Sequence, residues 1–173
     1  MFLLRALRIS LYFCLLLMCA PLVNGCYSFT GASVPQHWTS IAIPLFEDES
    51  GFGQPALRET VTNDLITKMQ RDNTLTLADR GSASIELIGK ITSVEADQPL
   101  AVAQGTQASR LQVVIKATVS LFDRTQQRQA WSKSFTAYGN YSPAGGAADR
   151  ELGLAQAVEK LTDDILLETI SAW

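Results

Sequence analysis

The chain has 173 residues, 47% apolar and 18% charged, with 14 Lys and Arg, 17 Asp and Glu and a single His. That length and mix fit one globular domain, not a disordered or collagen-like chain, and beyond residue 25 no run of about 20 apolar residues exists to cross a bilayer as a helix. Without residues 1–25 the chain keeps twelve basic and seventeen acidic groups, an acidic surplus that excludes general phosphate-backbone binding, so no nucleic acid is expected as a partner.

Residues 1–25 read as a signal peptide. Arg5 and Arg8 form a short cationic start, and Ile9 to Ala20 is an apolar run of signal-peptide length that Pro21 breaks. The run leads into Leu22-Val23-Asn24-Gly25-Cys26, which resembles the bacterial lipoprotein cleavage box: a branched apolar residue, then a small residue directly before the cysteine. In such lipoproteins a diacylglyceryl group is placed on the cysteine sulfur, the leader is cut, and the new amine usually takes a further acyl chain. Each buried methylene contributes roughly 0.8 kcal/mol and one chain holds only marginally, so two or three hold firmly. Cys14 and Cys19 leave with the leader and Cys26 is consumed by lipid, so the mature domain has neither disulfide nor thiolate metal site. The alternative is an ordinary cleaved signal that leaves Cys26 as an odd thiol. Tyr27 after the cysteine, where an Asp would retain the protein, fits sorting onward to the outer membrane of Gram-negative bacteria.

Residues 26–39 are rich in Gly, Ser, Thr and Pro and read as a lipidated tether ahead of a single domain over residues 40–173. Ile41, Ile43 and Leu45 alternate as in a strand, which Pro44 places at an edge or an end. A loop over residues 47–54 precedes Pro55, well placed at the first position of a helix. Leu57, Val61, Leu65 and Met69 give that helix one apolar stripe, ending near Asp72-Asn73. A short strand over residues 74–78 comes next, then the turn Asp79-Arg80-Gly81. In residues 84–95, Ile85, Leu87 and Ile91 share one face, and Glu86, Lys90 and Thr92 the other. Residues 97–108 read as an irregular connection.

Residues 110–123 are the clearest strand, with Leu111, Val113, Ile115, Ala117, Val119 and Leu121 on one face and Gln112, Lys116, Thr118 and Ser120 on the other. A polar turn over residues 123–129 predicts a hairpin whose second arm, residues 130–138, carries Trp131 and Phe135 on one face. After a loop over residues 140–146, Leu154, Val158, Leu161 and Ile165 make a second helical stripe. One-sided alternation in the strands implies helices on one face only: an α+β two-layer sandwich with a mixed four- to five-stranded sheet and two helices packed on one face. The other face, polar with Ile88, Val114 and Phe122 among it, meets water or a partner.

Catalytic chemistry finds little support. The single His37 lies in the tether, there is no G-x-S-x-G elbow, and no thiol remains in the mature chain. Glu47-Asp48-Glu49 lacks the spacing of a calcium loop, and Asp163-Asp164 point about 100° apart on a helix. Gly51-Phe52-Gly53 before a helix is explained by a turn. No enzyme activity, metal or cofactor is expected beyond covalent lipid on Cys26.

Gly25-Cys26-Tyr27-Ser28-Phe29, followed by residues 39–47 (TSIAIPLFE), resembles the opening of the lipopolysaccharide-assembly lipoprotein family (LptE), in which a lipidated start precedes a strand ending in Pro-x-Phe and then a helix. The match continues in order through the helix of Leu57 to Met69, the strand pair of Leu111 to Tyr138 and the terminal helix. The resemblance implies a lipid-anchored protein at the periplasmic face of the outer membrane. Such a protein plugs and helps assemble the β-barrel translocon LptD and assists lipopolysaccharide transport to the outer leaflet. The polar interior of such a barrel suits a polar plug surface. The family is also credited with binding lipopolysaccharide through basic residues, for which the candidates here are Lys90, Lys116, Arg124, Arg128 and Lys133. The alternatives are a general outer-membrane lipoprotein adaptor for envelope assembly or secretion, without lipopolysaccharide binding, and an envelope hydrolase using Glu47 or Glu86.

Overall fold

The computed structural model describes residues 34–100 and 110–171. The leader, Cys26 and the first part of the tether lie outside the described residues, as does most of the connection expected after Asp97. In chain order the elements are β1 (Ser40–Ala42), β2 (Glu47–Asp48), α1 (Leu57–Asp72), β3 (Thr76–Leu77), β4 (Ile85–Pro99), β5 (Leu111–Asp123), β6 (Arg128–Tyr141), a 3-10 turn (Pro143–Gly145) and α2 (Gly146–Ser171).

The strands form one mixed sheet in the order β3-β1-β4-β5-β6, with β2 added to β4. β1 pairs in parallel with β3 and β4, and β2 in parallel with β4, whereas β4-β5-β6 is an antiparallel meander. The two-layer α+β expectation matches, with six strands in place of four to five. The sixth strand is β2: Glu47 and Asp48, read as the start of a loop, pair with β4 beyond the break at Pro44, which has no N–H to give the ladder. Ala42 pairs with Glu86 and Glu47 with Lys90, five steps against four, so the break also absorbs one extra residue. The loop expected from residue 47 therefore starts two residues later.

Both helices pack on one face. Leu57, Val61, Leu65 and Met69 are buried on α1, and Leu154, Val158, Leu161 and Ile165 on α2, as their spacing requires. Opposite them lie Ile85, Leu87 and Ile91 of β4 and all of Val113, Ile115, Ala117, Val119 and Leu121 of β5. Each fully buried Val, Leu, Ile or Met among them stabilises the fold by roughly 1.5–3 kcal/mol. α1 begins at Leu57, two residues after Pro55, and ends at Asn73, which turns left-handed while its N–H still donates to the Met69 carbonyl. The helices are joined by Lys68 to Asp163 (2.6 Å) and Thr162 to Asp64 (2.5 Å).

Two glycines set the layer spacing. A Cβ on Gly139 of β6 would lie 1.8 Å from the Gly153 carbonyl oxygen, so α2 approaches the sheet closely here. A Cβ on Gly89 would strike the Phe46 ring, which lies buried over β4. β4 also departs from simple alternation. The pairing Ile91–Ala117 is followed by Ser93–Lys116, leaving Thr92 as an extra bulged residue, and a second shift falls between Glu95 and Gln98. Asp97, inside that second shift, has φ 61°. It accepts a hydrogen bond from the Tyr141 hydroxyl, whose pKa burial raises, with Asp97 raising it further.

Candidate functional site

The sheet face away from the helices is built from alternate residues of β4, β5 and β6. Its centre is a ladder of hydroxyls, Ser120 to Ser132 (2.8 Å) and Thr118 to Ser134 (3.4 Å), flanked by the partly buried Ile88, Val114 and Phe122. Register explains the ladder, since Ser120 faces Ser132 and Thr118 faces Ser134 across β5–β6. Lys90 stands on this face between Glu47 (2.7 Å) and Glu49 (2.9 Å). These hydrogen bonds, Glu47 first, raise the Lys90 pKa. Lys116 reaches Glu95 at 3.0 Å and lowers the pKa of that carboxyl. The bulge at Thr92 makes this possible, because it returns Ser93 and Glu95 to the open face.

At the start of β4 a carboxylate is covered where alternation alone suggests an exposed one. Glu86 is 4% exposed, with Arg80 at 2.5 Å and Arg124 at 3.1 Å. Two guanidinium groups compensate the desolvation of one carboxylate. Neighbouring Asp123, 1% exposed, ends β5. Its Oδ2 accepts hydrogen bonds from the Trp38 indole N–H and from His37 Nε2, each 2.8 Å, and its Oδ1 accepts one from the Gln126 backbone N–H at 2.9 Å. Burial pushes this carboxyl up, but Trp38, Gln126 and His37 together outweigh it and hold it down at about 2. Within the stretch read as a tether, His37 and Trp38 are thus held on the domain, with Trp38 5% exposed.

The five basic candidates do not make one site. Lys90 and Lys116 share the open face, each neutralised by acids. Lys133 faces the helix layer, opposite Val119 and between Trp131 and Phe135, and pairs with Glu168 of α2. Arg124 and Arg128 stand together on the β5–β6 turn. Arg128 has no acid partner among the described residues, its Nε donating to Gln126 Oε1 at 2.6 Å. Arg80, absent from the sequence candidates, joins this end through Glu86. The signal was present in the turn Asp79-Arg80-Gly81, but nothing local ties that turn to Glu86. Among the described residues no three His, Cys, Asp or Glu side chains group to hold a metal ion, and His37 is engaged by a buried carboxylate.

The sequence profile of the family described as lipopolysaccharide-assembly (LptE) matches residues 38–169, from buried Trp38 to the last turn of α2. The chain belongs to the LptE family. This makes it a lipopolysaccharide-assembly lipoprotein of the bacterial envelope. The LptE match covers the whole sheet and both helices. Comparison with curated protein sequences finds no match. Among solved structures, protein XCC0632 from Xanthomonas campestris is similar, with a TM-score of 0.60, 14% identity and coverage of 80% of this chain and 90% of that one. The PelC dodecamer of Paraburkholderia phytofirmans gives 0.55, 14%, 82% and 95%. A minor lipoprotein from Acinetobacter baumannii gives 0.50, 13%, 78% and 92%. At such identities these likenesses concern the fold alone.

Proposed function

We propose that this LptE-family chain is a non-enzymatic outer-membrane lipoprotein, anchored by lipid on Cys26. In this reading it plugs and helps assemble the β-barrel translocon LptD and assists lipopolysaccharide delivery to the outer leaflet. The observation that carries the proposal is the family match over residues 38–169. The open sheet face supports it physically. A hydroxyl ladder and charges neutralised within the protein make a surface that can lie against a polar barrel wall without stranding an unpaired charge. The anchor would raise the effective concentration of the plug at the barrel. Of the basic candidates, Lys90, Lys116, Lys133 and Arg124 already hold acids, which leaves Arg128, without an acid partner among the described residues, to meet lipopolysaccharide phosphates.

Isolation of the lipidated protein from outer membranes in mild detergent tests the reading. Co-purification with a large β-barrel is the expected result, and recovery as a free monomer from membranes that contain the barrel overturns it. Cross-linking before extraction separates it from the adaptor reading, because the captured partner is then LptD or another envelope protein.

A further inference from the structure

The end of the domain that receives the tether is also where Arg80, Arg124 and Arg128 stand. Asp123 seats His37 and Trp38 at the close of β5, and in the pairing of β5 with β6 the same Asp123 faces Arg128. One residue on, the backbone N–H of Arg124 donates to the Ser84 carbonyl, and its side chain meets Arg80 over Glu86. The two most buried acids of this end, Glu86 and Asp123, are covered by their own partners. Arg80 in contrast is 68% exposed, and Arg128 is exposed as well. Asp72 and Asp79 are exposed, as is Arg71. Arg80 and Arg128 are thus open to solvent and Arg124 is one-third exposed, Arg80 and Arg124 being held by the Glu86 carboxylate, and such guanidinium forks suit phosphate oxygens.

We propose that Arg80, Arg124 and Arg128 form a docking surface for the anionic phospholipid headgroups of the leaflet that holds the lipid anchor. The inference rests on the reading that Cys26 is lipidated. Val34 lies eight residue steps from Cys26, a span of at most roughly 26–29 Å, so a lipid on Cys26 would keep this end close to the bilayer. Phospholipid and lipopolysaccharide phosphates offer these arginines the same chemistry. Phospholipid is the standing occupant because the anchor itself lies in that layer. The contact would fix the orientation of the domain on the membrane.

The test uses the full lipidated chain in phosphatidylcholine vesicles with and without phosphatidylglycerol, read by vesicle flotation and by backbone amide exchange at the β5–β6 turn. Flotation is expected with both vesicles, and slowed exchange at the turn only with phosphatidylglycerol, reversed by high salt. An arginine near an anionic surface contributes about fivefold, so Arg128→Gln, which leaves both partners of Glu86 in place, should lower the protection about fivefold. Replacing all three arginines by Gln should abolish it while flotation persists. Equal exchange in the two vesicle types, or unchanged protection in Arg128→Gln, overturns the docking surface. Protection that appears only when lipopolysaccharide is added overturns it too and assigns the arginines to that ligand. Failure of the unaltered protein to float defeats the anchor reading, and the proposal with it.

Discussion

Asp123 shows how a single side chain can tie distant parts of a chain together. Its carboxylate accepts from His37 and Trp38, 86 and 85 residues earlier, and from the turn directly after it. Holding this group at about 2, against 3.8 when free, contributes about 2 kcal/mol at neutral pH. Because the folded pKa is the lower one, that stabilisation is complete above pH 4 and is lost as pH falls toward 2. Asp123→Asn should therefore cost about 1–3 kcal/mol at pH 7 and flatten the acid limb of a stability–pH curve between pH 4 and 2, measured by urea unfolding. An unchanged acid limb would remove Asp123 from that role. Little of this is legible in the sequence. His37 and Trp38 sit in a stretch with no periodicity, and Asp123 reads as an ordinary turn aspartate. Glu86 is hidden for a similar reason, since its partners stand 6 and 38 residues away.

Among the elements, β5 is fully legible, because a central strand with one buried face must alternate. Its inward set is the one the residues announce. β4 is legible only to Ile91, since the bulge at Thr92 reverses the parity of the residues beyond it and leaves no mark in composition. β6 is an edge strand, and there the alternation carries a charge whose face is ambiguous from sequence. Lys133 points inward, held by Glu168 between Trp131 and Phe135. An inward charge on an exposed edge discourages pairing with another chain. Lys133→Val should leave stability within about 1 kcal/mol, as expected for a surface ion pair, yet produce concentration-dependent association in sedimentation velocity. A variant that stays monomeric would show that the edge is protected by other means. Lys160, whose ammonium donates to the Tyr138 carbonyl and lies 4.5 Å from its ring, covers part of the same edge.

The molecule as a whole has two unlike ends joined by long strands. One receives the tether and carries Arg80, Arg124 and Arg128; the other holds the starts of both helices and the Asp97–Tyr141 contact. The sandwich is legible because each layer has its own period, whereas the division between the ends depends on strand order, which local patterns do not specify. If Cys26 carries the lipid, Cys26→Ala should abolish incorporation of radiolabelled palmitate; persistent labelling would refute the anchor. The placing of β1 bears on what happens when that anchor is dragged. The strand is gripped on both sides by parallel neighbours, and the tethered segment enters at its first residue. With lipid on Cys26, a pull applied along the strand axis would strain this ladder in shear, all bonds together, instead of unzipping them singly. Mechanical load would then pass into the interior of the sheet and spare its rim.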